Sequence, residues 1–227
     1  PVAESVDPLV FQHTMALVSW ASSHGVEVQQ IGVTRRVLIH SARNQLAKGF
    51  LGTDCEWAFW MDSDMLIPNN AINRLLDVAK EKDAKMVTGI YYQRLGDHMP
   101  VLWKKDPVDM DGNTILSDPK LRKDEKEAYK HNFILPNKNA TQPFKADVCG
   151  FGCVLMHRSV LEKVEYPYFK TISDDCSEDF YFCIKAKAAG VELWADPVLT
   201  LGHMGDAPIF TKHDCKVDSA RLKQIKV

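Results

Sequence analysis

The sequence predicts an α/β domain with a mostly parallel central sheet flanked by helices, and three observations carry that expectation. Helical and strand-like patterns alternate through the first half of the chain. At 227 residues and 45% hydrophobic, the chain can bury one sizeable core. An apolar run, Trp57-Ala58-Phe59-Trp60-Met61, leads straight into Asp62-Ser63-Asp64, which puts two carboxylates one residue apart at the tip of a buried strand. Anionic oxygens placed there suit a divalent cation, so the pair points to metal-assisted chemistry on a phosphate-bearing ligand. Alone it carries little weight, since Asp-x-Asp is also a common turn sequence.

The elements follow in order. Asp7 caps a helix with Pro8 in its first turn, apolar positions at Leu9, Val10, Leu17, Val18 and Ala21, and Gly25 beyond its end, giving a helix over 8–22. Residues 26–33 read as a strand and 37–50 as a second helix, carrying Arg43 and Asn44. After the strand at 57–61, Asn69 or Asn70 caps a third helix with Ile72, Leu75, Leu76 and Ala79 at helical spacing, and 85–92 reads as another strand. From 96 to 144 the pattern breaks into short apolar pieces among Pro, Asp, Asn and Lys, the mark of a variable insertion or a set of long loops. There, Asp109, Asp111 and Asn113 beside Gly112 match only part of a calcium loop, so a hairpin turn at Asp111-Gly112 is the better reading. Residues 120–130, dense in both signs of charge, read as a solvated helical face.

Order returns at Asp147-Val148-Cys149-Gly150-Phe151-Gly152-Cys153, followed by a Val154-Leu155-Met156 strand and a short helix over 159–164. A polar loop over 173–177 precedes Glu178-Asp179, which open a helix through Ala189 closed by Gly190. Residues 191–195 and 198–201 read as strands leading to Gly202-His203-Met204-Gly205, and the polar, basic tail after Thr211 lies on the surface or is disordered. The chain reads as one domain, with 1–95 as its first half, 96–144 as the insertion, 145–211 as its second half and 212–227 as a tail.

Composition excludes several classes. A formal charge of -2 gives no long-range pull toward nucleic acid or an anionic membrane, and no basic stripe is visible. No apolar stretch approaches the ~18 residues that suggest a membrane span, and the start resembles no signal peptide, although the chain begins at Pro1 and a segment upstream can be missing from view. The cysteines at 55, 149, 153, 176, 183 and 215 form no Cys-x-x-Cys pair, which disfavours zinc-ribbon and thioredoxin-type sites. Cys149 and Cys153 read as small buried residues rather than a metal site or a disulfide, and the scatter of thiols points to a reducing, cytoplasmic compartment. Asn139-Ala140-Thr141 fits a glycosylation acceptor, which has meaning only in a secretory context.

Three features occur in order: Asp62-x-Asp64 after a strand, Glu178-Asp179 opening a helix, and His203 after a late strand. Together with Ser41-Ala42-Arg43-Asn44, Gly150-Phe151-Gly152-Cys153, Ala188-Ala189-Gly190 and Leu201-Gly202-His203, their order resembles that of the metal-dependent GT-A glycosyltransferases, the family-2-like group above all, over most of the chain. The resemblance implies a Rossmann-like GT-A fold. It also implies transfer of a sugar from a nucleotide-sugar donor, UDP- or GDP-sugar foremost, to an acceptor hydroxyl, with the donor held by the first half and the acceptor by the second. One departure is that the family's first strand, which helps seat the base, should end near Pro1, so its body is not in this sequence.

By the same resemblance, Asp64 is the direct metal ligand, Asp62 reaches the ribose or the metal through water, and His203 completes the site. An imidazole among oxygen ligands tilts the preference from Mg²⁺ toward Mn²⁺. Asp179 is the first choice as the base of an inverting reaction and Glu178 the second, although acidic residues also simply favour a helix N-terminus. The donor-binding set is Arg43, Asn44, Asp62, Ser63, Gly150, Phe151 and Gly152. Gly150 and Gly152 either admit backbone close to the sugars or form a tight turn. Arg43 either meets the nucleotide or makes an ion pair. Trp103, Tyr91 and Tyr92 either stack on a ligand or pack in the core. Competing readings are a haloacid dehalogenase-type phosphatase, whose motif asks for Thr or Val where Leu66 stands, a sugar nucleotidyltransferase, whose Gly-rich loop is not seen, and a noncatalytic nucleotide-sugar-binding domain.

Overall fold

The computed structural model describes residues 6–34, 37–106, 111–117, 132–172, 177–205, 209–211 and 213. In chain order, α1 (Pro8–Ser23) and α2 (Ile39–Leu51) precede β1 (Trp57–Met61) and β2 (Met65–Leu66). Next come α3 (Ala71–Glu81), β3 (Met86–Ile90), β4 (Leu102–Lys104), β5 (Thr114–Ser117), β6 (Asn132–Leu135), β7 (Phe144–Ala146), β8 (Val148–Cys149) and β9 (Cys153–His157). The chain continues through α4 (Arg158–Lys163), α5 (Glu178–Ala188), β10 (Leu193–Thr200), β11 (Gly202–Met204) and β12 (Ile209–Phe210).

A central five-stranded sheet has the order β1-β9-β3-β10-β7. The α/β class is as the sequence predicts, but the pairing is not mostly parallel. Among the described residues, only β3 and β10 pair in parallel, while β9 runs antiparallel between β1 and β3, and β7 runs antiparallel beside β10. The strands β1, β3 and β10 still point the same way, so their carboxyl ends gather at one edge, and this is where the acidic pair sits. Alternation explains the packing, because successive side chains of a strand face opposite sides. Met86 and Ile90 of β3 join Val154 and Met156 of β9 in a core shared with Phe151, Phe169 and Phe182. Val87 and Leu155 face the other way, into a core with Leu17, Ile72, Leu75 and Val78 of α1 and α3.

Local signals account for most helix ends. The Asp7 carboxylate accepts from the Leu9 N–H at 2.8 Å, and Gly25 and Gly190 take the positive φ that follows a helix (82° and 77°). Asn70 occupies the position before α3, but its side chain makes no capping bond. The expected strand over 26–33 does not form. This stretch is irregular, and Val26 and Val28 pack partly buried while Ile31 and Val33 stay exposed.

Within 96–144, β4 and β5 do not pair as a hairpin. β6 lies between them in a small sheet of order β5-β6-β4-β8, although Gly112 does turn the chain with φ 75°. The two late strands expected at 191–195 and 198–201 are one strand, β10, with a register shift between Ala195 and Thr200 where Pro197 falls. The helical face expected at 120–130 and most of the tail lie outside the described residues, as do Cys176 and Cys215. Cys55, Cys149, Cys153 and Cys183 are free thiols. No helix among the described residues is long and apolar enough to cross a membrane.

Candidate active site

The acidic pair occupies a turn between β1 and β2, closed by the Met65 N–H donating to the Asp62 carbonyl at 3.3 Å. β2 is too short to be a sheet strand by itself, yet it pairs with β11, setting Met65 opposite His203. The Met204 N–H donates to the Asp64 carbonyl at 2.9 Å, so the backbone itself pins the turn to β11. Asp64 and His203, 139 positions apart in sequence terms but adjacent here, face each other with Oδ2 and Nε2 3.5 Å apart.

The His203 ring is oriented from behind. Its Nδ1–H donates to the Tyr92 carbonyl at 2.7 Å, and Tyr91 meets it edge-on with ring centroids 5.3 Å apart. With Nδ1 donating in this way, Nε2 is the ring nitrogen left to face Asp64. One imidazole nitrogen and one carboxylate oxygen at this spacing fit a single first-row divalent cation, with other positions left for oxygens of a ligand or water. Burial of Asp64 opposes its charge. The hydrogen bond and positive charge of protonated His203, and the charge of Arg94, outweigh that burial and hold its carboxyl below the usual carboxylate range. Among the described residues, no group of three or more His, Cys, Asp and Glu side chains converges as a preformed cation cage.

Arg43 joins this site to α5. Its side chain is only 3% exposed, and Nη2 donates to both Asp62 oxygens at 2.9 and 3.2 Å. Nη1 donates to Glu178 Oε1 at 2.7 Å and pairs with Asp179 Oδ1. The guanidinium also lies 5.3 Å from the Phe151 ring centroid and 5.9 Å from that of Phe169. Burial alone would ease its proton off, but the carboxylates of Asp62 and Glu178 more than offset that cost and push its pKa up. The structure thus brings Asp62, Glu178 and Asp179 together around one cation. Of the α5 pair, Asp179 is the more open side chain (19% exposed against 8% for Glu178).

The remaining sequence-predicted residues fall into place as follows. Asn44 is committed inward, its Oδ1 accepting from the Tyr168 and Phe169 N–H groups and its Nδ2 donating to the His40 and Phe169 carbonyls. Ser63 sits half-buried in the acidic turn. A Cβ on Gly150 would overlap the Tyr91 hydroxyl and come within 2.7 Å of Val101, and one on Gly152 would lie 2.8 Å from the Tyr91 ring. The space beside both glycines is therefore filled by Tyr91, whose hydroxyl accepts from the Gly152 N–H at 3.2 Å and whose burial pushes the phenol pKa up. Phe151 and Trp103 are core residues, Phe151 against Trp60, Phe169 and Phe182, and Trp103 against Phe133 and Phe180. Sequence reasoning missed Arg94, whose Nη1 lies 3.1 Å from Asp64 Oδ2. Its signal was a lone arginine just past the apolar run of β3, at the same sheet edge as the acidic pair.

A central sheet covered by helices thus gathers acidic and histidine side chains where its like-directed strands end, which places the candidate site of this α/β fold at the carboxyl edge of the sheet. A family model for glycosyl transferase family 2 matches residues 29–165, more than half of the chain, and the protein belongs to that family of glycosyltransferases. Among solved structures, the chain is similar to A197 from STIV, with 17% identity over 93% of this chain and 92% of that one and a TM-score of 0.56, a likeness of fold. A structure of GalNAc-T7 with UDP, GalNAc and Mn²⁺ is more distant, with 13% identity over 76% of this chain and 32% of that one and a TM-score of 0.47. No curated protein matches by sequence.

Proposed function

We propose that this glycosyltransferase is metal-dependent and inverting, moving a sugar from a nucleoside diphosphate-sugar, UDP- or GDP-linked, to an acceptor hydroxyl. The observation that carries the reading is the facing of Asp64 Oδ2 and His203 Nε2 at 3.5 Å, with the other ring nitrogen tied to the Tyr92 carbonyl. Asp64 and His203 would hold Mn²⁺ or Mg²⁺, which when bound offsets the charge gathering on the departing diphosphate. Asp62, fixed by Arg43, has an edge to offer to a ribose hydroxyl or to a cation-bound water. Ser63 lies in the same turn as Asp62 and Asp64, where it can meet the donor.

Asp179 takes the proton of the acceptor hydroxyl as its oxygen bonds to the anomeric carbon, while the bond from that carbon to the diphosphate oxygen breaks and the nucleoside diphosphate leaves. Glu178, more deeply buried and held by Arg43, supports this carboxylate. Arg43 and Asn44 act on the ligand only through the side chains and backbone they fix, Gly150 and Gly152 through the seat they make for Tyr91, and Phe151 through the core it shares with Trp60, Phe169 and Phe182. Membership of the family leaves the phosphatase reading unsupported. A noncatalytic nucleotide-sugar binder differs by a single measurement.

That measurement is nucleotide release from a panel of UDP-, GDP-, TDP- and CMP-sugars with and without Mn²⁺, each with a mixed set of sugar acceptors. Metal-dependent release from one donor is expected, and binding without release would establish the binder instead. In the Asp64→Ala variant the metal-dependent donor binding is expected to disappear in calorimetry. Unchanged metal affinity there would remove Asp64 as the ligand. Asp179→Asn is expected to keep donor binding and lose transfer, and full transfer in that variant would remove Asp179 as the base.

A further inference from the structure

Arg94 stands against the same oxygen, Asp64 Oδ2, that faces His203. Its guanidinium thus supplies the positive charge that a metal ion would bring, in a competing position. A cation taking Oδ2 cannot share it with a guanidinium 3.1 Å away without strong repulsion, so one must yield or an anion must come between them. Arg94 is built to yield. Its side chain is half exposed (49%), and the next residue, Leu95, is 83% exposed at the loop tip.

The base of that loop is fixed. The Gln93 N–H donates to the Met99 carbonyl and the Val101 N–H to the Tyr91 carbonyl, both at 2.9 Å, and Tyr92 bridges to Pro100. His98 is buried, holds a positive φ of 52°, and donates from Nδ1 to the Gln93 carbonyl at 2.8 Å. A left-handed backbone at a histidine costs energy and persists where its surroundings demand it. The strained, well-bonded base places one guanidinium at the rim of the acidic turn, and the side chain alone is left to swing. The same β3 exit supplies the Tyr92 carbonyl that orients His203, so Arg94 and the imidazole share one support.

We propose that Arg94 is a diphosphate-binding residue of the donor site that pairs with Asp64 until a divalent cation displaces it, and then closes on the phosphate oxygens. The proposal rests on the cation site of the preceding section. A planar guanidinium suits this exchange, because it meets a carboxylate or a phosphate with the same fork of N–H donors. The arrangement couples two events, since arrival of the cation frees the arginine that holds the diphosphate.

The test is calorimetry on the full chain. Mn²⁺ is titrated alone, and then UDP, GDP and TDP are titrated at saturating Mn²⁺, the tightest being used for comparison. Arg94→Gln is expected to bind Mn²⁺ alone about threefold or more tightly, because a competing cation is gone, and to bind the nucleoside diphosphate about tenfold or more weakly. Arg94→Lys, with charge but no fork, is expected to fall between for the diphosphate. Opposite signs are the signature, because loss of a merely structural side chain would weaken both. Unchanged or weakened Mn²⁺ binding in Arg94→Gln, or unchanged diphosphate binding, overturns the role of Arg94 while leaving the cation site standing. Absence of Mn²⁺ binding by the unaltered chain, or its persistence in Asp64→Asn, overturns the cation site and this inference with it.

Discussion

Arg43 shows how far a single side chain can organise a site. Four acidic oxygens from two distant elements converge on its buried guanidinium, so its removal leaves three carboxylates facing one another without a counter-charge. Arg43→Met is expected to cost about 3–5 kcal/mol in denaturant unfolding, the usual range when one partner of a buried ion pair is lost. Gly150→Ala is expected to cost about 1–3 kcal/mol, because its methyl overlaps Tyr91, and part of that loss should return in a Tyr91→Phe background. Asp64 gives a pH signature. Its folded pKa lies below the unfolded one, so its ionised form adds stability above about pH 4 that is lost as pH falls through the folded value. The melting temperature of Asp64→Asn should therefore fall less than that of the unaltered chain between about pH 5 and pH 3. As candidates, Asp62, Asp64, Glu178 and Asp179 were legible in the sequence because each stands at an element's end, and His203 because it follows the long apolar strand β10. The inward turn of Arg43 was not, because it depends on partners 19 and 135 positions away.

At the scale of elements, caps and apolar spacing gave helix limits within a residue or two, and β1 came out as expected. The irregular stretch at 26–34 shows what local pattern misses. Its β-branched residues favour extended backbone, but a strand exists only where a neighbour offers hydrogen bonds, and among the described residues none pairs with it. The junction of α3 with β10 carries a further prediction. Asp196 is fully buried and accepts from Arg74 at 2.6 and 3.0 Å and from the Val198 N–H at 3.1 Å, at the bulged part of β10. Arg74 is 35% exposed and can turn to water, whereas Asp196 cannot. Arg74→Met should therefore destabilise more than Asp196→Asn, by thermal or denaturant melts, since only the first strands a charge in the interior.

Across the whole molecule, the sequence's alternation of helix and strand was enough to place the protein among α/β folds, but not to order its sheet. The antiparallel insertion of β9 between β1 and β3 joins residues 66 to 100 positions apart, and no pattern within any of these segments encodes which neighbour it will take. Direction survived where order did not. The strands that lead to the candidate site residues all end at the same edge, which is why the acidic turn, Arg94 and His203 meet although the pairing differed from expectation.

The backbone bond from Met204 to Asp64 sets a schedule as well as a geometry. A chain emerging from the ribosome finishes β1, β3 and β9 well before residue 202 exists, so the sheet can assemble while its acidic turn still lacks β11. The proposed cation site is then completed only after the strands that carry its acidic turn. A chain released before Gly202 should fold its helices yet fail to bind Mn²⁺, and in the 227-residue chain, Mn²⁺ should slow hydrogen exchange at the Met204 amide more than at amides within β9.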